Sequence, residues 1–400
     1  MIKFINDKET WFFYFFLMLY LISLSIWGIN RSEPWHDEGH FVETIVYFGK
    51  NLNLTALYNY EEMSTPLPFI VYALWGKLVG FQLPLLRILS ILVAFSTYVV
   101  FFALFKNYYS SLIALLAVSF IALNPYFAGA SVFVFTDMMA VCFLGLSFLA
   151  VLKGKPVLLG IALASALLTR QYLAFLVPAF FLFFLLNLVY SGERKYLKYL
   201  CAVVFSCVPL GLLVLFWGGF SPVNNVKNLY IPYAFTFHPE FLTLYICQII
   251  IYVFPFVLYN WKKFYLNNKI LLISLAVSFL YLLFPVRPSM PGIEVNVLTV
   301  GYFHRFLKIF LSDRITHVVF YFSYLLSLPV LFTFLSSVVS DIRQKRLGLR
   351  FLCVATLLFF LLVMPFSYLL WEKYFLPVLP VVVFLIFNDY RKSEKFSIQL

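Results

Sequence analysis

The run Glu33-Pro34-Trp35-His36-Asp37-Glu38 sets two adjacent carboxylates directly after an apolar stretch, Trp11 to Gly28. That stretch is close to the roughly 20 residues that cross a bilayer core as helix, so the carboxylates fall where hydrocarbon gives way to water. An ionised Asp or Glu there can take a proton from the polar head of a lipid whose tail stays in the bilayer. Asp37 is read as the base and Glu38 as its supporting carboxylate. His36 and His40 stand four apart, a spacing that can bind zinc on a helix. The metalloprotease pattern needs Glu directly after its first His, whereas this chain has Asp37 there. No third ligand is evident, and no metal site is read.

Further along, Asp137 in Phe135-Thr136-Asp137 is the only charge between Lys106 and Lys153. It either caps a helix start or meets Asp37 and orients a cation, a sugar hydroxyl or a metal. Thr169-Arg170-Gln171 breaks a long apolar tract, and Arg170 either snorkels to the interface or binds an anion such as a lipid phosphate. Arg287, His304, Arg305, Lys308 and Arg314 make a late loop basic, and Trp371-Glu372-Lys373-Tyr374 opens the last apolar run. An acidic early loop and a basic late one suit an acceptor hydroxyl deprotonated by carboxylate while cations hold a departing phosphate. Taken singly, each late residue reads better as ordinary aromatic and basic belt anchoring.

The elements that must position these residues are membrane helices. Hydrophobic residues make up 63% of the 400 positions and charged residues 12%, with 50 Phe and 27 Tyr, which leaves too little polar surface for a water-soluble fold. The apolar blocks have helical rather than β-barrel length, predicting an all-α polytopic integral membrane bundle. About twelve spans are expected: 11–29, 83–105, 110–128, 138–152, 156–169, 172–190, 199–217, 241–260, 270–286, 315–338, 351–369 and 374–388. The first is read as retained, since no small-residue cleavage site follows it. Thr65 to Val79 opens with Thr65-Pro66-Leu67-Pro68 and suits an interfacial helix. Glu38 to Lys50 is predicted to form another, with Phe41, Ile45 and Phe48 on one side.

If Thr65 to Val79 does not cross, the short loops on the N-terminal side hold most of the 29 Lys and Arg. The positive-inside rule then places both termini in the cytoplasm. Loops 30–82 and 287–314 of a single membrane domain, 1–400, face outward. The net charge of +12 is explained by a basic face held against anionic lipid, and no basic domain is present that would serve a nucleic acid. All five cysteines fall inside expected spans, so no disulfide framework is read.

One retained span, the Glu33-Pro34-Trp35-His36-Asp37-Glu38 tract, Thr65-Pro66, Leu86-Arg87, Phe135-Thr136-Asp137, Arg170-Gln171 and Lys373-Tyr374-Phe375 with Pro377 occur in that order. In that order they resemble the GT-C superfamily of polyprenyl-phosphate-sugar-dependent glycosyltransferases, and within it the alpha-1,2-glucosyltransferase branch that completes the lipid-linked oligosaccharide. Where that branch has Gly-Asp-Lys and then His-x-Pro-Gln, this chain has Asn224-Asn225-Val226-Lys227-Asn228 and Tyr230-Ile231-Pro232-Tyr233, which leaves donor sugar and acceptor open.

The resemblance implies inverting transfer of a hexose, glucose in that branch, from a polyprenyl-phosphate donor to a hydroxyl of a lipid-linked or protein-linked glycan outside the cytoplasm. Asp37 and Glu38 would be the catalytic carboxylates. Asp137, Arg170, Gln171, Arg305, Lys373 and Tyr374 would bind substrate. No cofactor is called for, and a divalent cation is left open. The membrane would be the plasma or inner membrane of a prokaryote, or the endoplasmic reticulum of a eukaryote. The competing readings are a polyprenyl-glycan flippase or transporter, which would place ionisable groups near the bilayer midplane and show repeat symmetry, and an O-antigen polymerase or ligase, which would carry a dominant late outer loop.

Overall fold

The structure is a computed structural model that describes residues 8–222, 236–294, 296–367 and 369–387. The tracts Asn224 to Asn228 and Tyr230 to Tyr233 lie outside the described residues, as do residues 1–7 and the C-terminal tail expected in the cytoplasm. Among the described residues the regular structure is helical, with no strand. Among these residues seven helices are long and apolar enough to cross a membrane: Lys8–Ile29, Leu83–Lys106, Gln171–Ser191, Lys195–Trp217, Pro239–Tyr259, Asp313–Arg343 and Leu349–Phe366. They present Trp11, Phe12, Phe15, Ile22, Leu212, Leu215 and many other large apolar side chains outward, the surface a lipid-facing bundle requires and a soluble protein avoids. The chain is an integral, multi-pass membrane protein.

The number of long spans differs from the expected twelve. The block 110–128 is a pair, Ser111–Ala122 and Pro125–Val132, bent by 77°. Asn124 accepts from the Tyr126 N–H and Pro125 sits in the first turn, so a new helix starts there instead of the old one continuing. Asp137–Leu152, Pro156–Leu167 and Asn268–Leu283 are shorter apolar helices, and the last block contributes Leu379–Phe387 among the described residues. Sixteen residues of helix, the length of Asp137–Leu152, reach about 24 Å at 1.5 Å per residue, short of the roughly 30 Å core.

The sequence reads as one membrane domain, and the structure divides into two compact units, residues 1–174 with 198–225, and 175–197 with 226–399. The first unit carries the early acidic loop. Its helices are α1 (Lys8–Ile29), α2 (Glu38–Lys50), α3 (Leu54–Asn59), α4 (Leu67–Val79), α5 (Leu83–Lys106), α6 (Ser111–Ala122), α7 (Pro125–Val132), α8 (Asp137–Leu152) and α9 (Pro156–Leu167), together with Val208–Trp217. α5 is the hub, packing against α1, α4, α6, α7 and α8, while α2 lies on α4 and α8 on α9.

α2 forms over the expected residues, and Phe41, Ile45 and Phe48 are its buried stripe. They join Tyr60, Phe69, Tyr72, Val134 and Trp217 in one apolar cluster. α4, at 13 residues, spans only about 20 Å, as an interfacial helix should. α1 touches α7 at Gly28, where a β-carbon would overlap the Val132 side chain. Gly28→Ala is therefore expected to force the two helices apart at a cost of about 1–3 kcal/mol, read as a lowered unfolding midpoint in detergent. An unchanged midpoint would show that Val132 yields freely.

In the second unit, Pro239–Tyr259 packs against Asp313–Arg343 and Leu379–Phe387, and Leu176–Ser191 against Leu349–Val363. Pro255 lies inside the first of these helices and the backbone at Val253 departs from helical geometry, the kink expected where a proline removes a donor and crowds the preceding turn.

Candidate active site

The turn between α1 and α2 is shaped by a single buried arginine. Arg87, in the first turns of α5, is fully enclosed, and its five N–H groups are all engaged. Nε donates to Glu38 Oε1 at 2.9 Å and Nη2 to Glu38 Oε2 at 2.6 Å. Nη1 donates to the carbonyls of Gly28 at 2.7 Å and Arg31 at 2.5 Å, and Nη2 also reaches that of Glu33 at 3.2 Å. The guanidinium thus collects the carbonyls left open where α1 ends and fixes the path into α2. The planar five-donor fork explains why arginine, not lysine, holds this place.

Glu38 is the other half of the clamp. It is fully buried, and beyond Arg87 its oxygens accept the N–H of Trp35 and that of Val134, each at 2.9 Å. With four donors on its carboxylate, Glu38 is saturated and shielded from solvent. It ties α1, α2 and the loop before α8 together, and supports the neighbouring residue by holding the turn.

Asp37 differs in every respect. Its side chain is 45% exposed. It stands at the N-cap of α2 without making the usual side-chain capping bond, leaving its carboxylate turned outward beside the positive end of the helix. His36 just before it has φ of 50°, a left-handed conformation that costs a non-glycine residue energy and recurs at functional turns. That twist allows Glu38 to point in and Asp37 out. Trp35 covers the turn, its ring stacked on Phe133 and capped by the Arg31 guanidinium 4.2 Å from its centroid.

Two neighbours of Asp37 carry chemistry. His40, one turn on along α2, has Nε2 4.0 Å from Asp37 Oδ1 and Nδ1 2.5 Å from Glu62 Oε1. The strap bearing Glu62 is held firmly: Tyr60 donates to the Ser64 carbonyl at 2.8 Å, Thr65 Oγ1 to that of Leu167 at 3.0 Å, and the Leu67 N–H to that of Leu168 at 3.0 Å. Burial, then the charge of Glu62, pushes the Tyr60 phenol well above its usual range, so it stays a neutral donor.

Gln171, expected to bind substrate, donates its amide to the carbonyls of Met63 and, at 3.0 Å, Phe220. It too anchors the strap. Arg170 Nη2 pairs with Asp137 Oδ2 at 3.1 Å, the two side chains 12% and 7% exposed. Asp137 is the first residue of α8, whose N-cap is Thr136. Asp137 Oδ1 and Thr136 Oγ1 are buried without a hydrogen-bond partner, leaving acceptor capacity beside the ion pair.

The remaining expected residues belong to the second unit. Arg305 is exposed on the short helix Tyr302–Phe310, whose Phe306, Ile309 and Phe310 are also exposed, as on a helix lying in a membrane interface. Glu372 is buried and accepts the N–H groups of Phe303 and His304, each at 3.0 Å, capping that helix from outside. His304 Nδ1 accepts the Val300 N–H at 3.1 Å. Burial, then Lys308, lowers its pKa to about 4, so it is neutral near pH 7. Lys373 Nζ lies 6.0 Å over the Trp371 ring, and Tyr374 is buried in the turn that follows.

Arg87, His40, Glu62 and Glu372 therefore matter more than sequence reading indicated. Arg87 carried a signal, a lone charge opening an apolar run, which in a membrane helix calls for a partner. In the sequence His40 is marked only by its spacing from His36. Nothing local singles out Glu62 or Glu372, whose partners are distant in the chain. Among the described residues no group of three or more His, Cys, Asp or Glu side chains is placed to hold a metal ion.

Fold and site together define a polytopic helical membrane protein with a solvent-facing carboxylate on a rigid turn at the end of its first span. No protein-family model matches the chain, and comparison with curated proteins finds no match. Among solved structures it is similar to the crystal structure of ArnT from Cupriavidus metallidurans in the apo state, with 14% identity and a TM-score of 0.42, over 95% of this chain and 77% of that one. Similarity at that level lends no residue role and no activity to this chain.

Proposed function

We propose that this protein is a membrane glycosyltransferase that moves a hexose from a polyprenyl-phosphate donor to an acceptor hydroxyl on the non-cytoplasmic face. The supporting observation is the contrast between two adjacent carboxylates: Glu38 saturated by Arg87 and two backbone N–H groups, Asp37 rigidly presented and half exposed. In this reading Asp37 accepts the acceptor's hydroxyl proton. The freed oxygen attacks the anomeric carbon from the side opposite the phosphate, the carbon–oxygen bond to phosphate breaks, and its electron pair leaves with the polyprenyl phosphate. Configuration inverts, and no covalent sugar–enzyme species forms.

Asp137, with its spare acceptor oxygen, and Arg170 would bind sugar hydroxyls, while Gln171 keeps the strap beside them in place. Asp137 and Arg170 sit at helix ends, as an interfacial site needs and a midplane transport pathway does not. Outward placement of Asp37 follows from the positive-inside reading.

Purified protein in lipid nanodiscs, incubated with a panel of radiolabelled polyprenyl-phosphate hexoses and lipid-linked glycan acceptors, is expected to transfer label from one donor with inversion at the anomeric carbon. Absence of transfer from every donor, or retention of configuration, would sink the reading.

A further inference from the structure

We propose that His40, oriented by Glu62, is the proton-storing partner of Asp37: the proton taken from the acceptor hydroxyl passes from the Asp37 carboxylate to His40 Nε2 and leaves from there to water. This rests on the reading of Asp37 as the base.

The geometry assigns the two ring nitrogens different tasks. Nδ1 lies 2.5 Å from Glu62 Oε1, and the Glu62 side chain is only 7% exposed. A carboxylate at that distance accepts the Nδ1–H, which fixes the tautomer and leaves the lone pair on Nε2. That lone pair is on the side of Asp37, 4.0 Å from Oδ1. Carboxylate orienting imidazole, imidazole serving the reacting group, is the logic by which a buried acid prepares a histidine in other enzymes. Both Asp37 and His40 are about half exposed, so a small side-chain rotation would bring Nε2 and Oδ1 within hydrogen-bond distance.

Glu62 is well placed to orient. Its strap is pinned by Tyr60, Thr65, Leu67 and Gln171, and Trp217 Nε1 holds the Leu57 carbonyl at 2.9 Å just upstream. Buried anchors on both sides give the pair a fixed geometry that an ordinary surface histidine lacks.

The direction of transfer follows from ordinary proton affinities. An imidazole holds a proton more tightly than an aspartate by roughly two to three orders of magnitude, so passing it on returns Asp37 to its basic form. The imidazolium then lies between two carboxylates. Other titratable groups around it are Glu43, one turn on along α2, Glu61 on the strap, and His36 in the preceding turn. Of the cations on the packed elements, Arg87 is engaged with Glu38, Arg31 lies over the Trp35 ring, and Lys50 and Lys77 stand in the last turns of α2 and α4.

The test is the pH profile of kcat for sugar transfer by wild type, His40→Ala, His40→Gln and Glu62→Gln in nanodiscs, with unfolding midpoints recorded alongside. Wild type should lose rate on the acid side as the imidazole is filled. His40→Ala and His40→Gln should lower kcat by about 10- to 100-fold and abolish that limb, and added imidazole should restore part of the rate in His40→Ala. Glu62→Gln should keep the limb but move it to lower pH, because an imidazolium without its neighbouring carboxylate is less stable. If both His40 variants keep the wild-type kcat and profile while Asp37→Asn is inactive, His40 has no such role and Asp37 sheds its proton directly to water. If Asp37→Asn transfers sugar at the wild-type rate, Asp37 is not the base and the relay fails; if wild type transfers no sugar, the glycosyltransferase reading fails and the relay with it.

Discussion

Arg87→Ala is expected to destabilise the first unit by about 3–5 kcal/mol, the penalty for removing one partner of a buried ion pair. The loss would leave Glu38 charged and enclosed, and would strip the carbonyls of Gly28, Arg31 and Glu33 of their donor. Unfolding midpoint and recovered monodisperse protein in detergent should both fall well below those of Gly28→Ala. Arg87→Lys should rescue little, because an ammonium cannot match a five-donor fork. Glu38→Gln in the Arg87→Ala background should recover part of the loss by removing the unpaired charge. A midpoint for Arg87→Ala within the range of Gly28→Ala would show that water reaches Glu38 and that the clamp is not what shapes the turn.

Asp37→Asn should leave folding intact yet cut transfer by about 10² to 10⁴. The side chain is half exposed and makes no capping bond, so an amide of the same shape fits without leaving a buried group unsatisfied. Its basicity is lost. Glu38→Gln should behave in the opposite way, lowering stability with activity falling in proportion to the protein that remains folded. Kinetics and unfolding measured on the same preparations separate the two. Near-normal transfer by Asp37→Asn, with activity abolished in well-folded Glu38→Gln, would exchange the two roles.

Much of the architecture was legible because it depends on local composition. Apolar length predicted spans that appear at Lys8–Ile29, Leu83–Lys106 and Asp313–Arg343. Spacing of Phe41, Ile45 and Phe48 predicted the buried face of α2, since helical period alone decides which residues share a side. The block 110–128 was less legible. Its hydropathy is continuous, yet Asn124-Pro125 starts a second helix at 77° to the first, and a hydropathy window averages over that break.

The site was legible as a region and not as a set of roles. Sequence alone determined that an acidic pair follows the first span, that Arg170-Gln171 interrupts an apolar tract, and that basic and aromatic residues gather late in the chain. It could not divide labour between Asp37 and Glu38, because adjacent residues of the same chemistry are distinguished only by where they point. One helical step turns a side chain by about 100°, and which carboxylate faces inward is settled by Arg87, 49 residues away. Likewise His40 gained its meaning from Glu62, 22 residues on, and Glu372 from a helix start 68 residues before it. Hydrophobic length and period are written locally and survive in the chain as read. The pairing of buried charges is a long-range choice, made by the cost of leaving any of them without a partner.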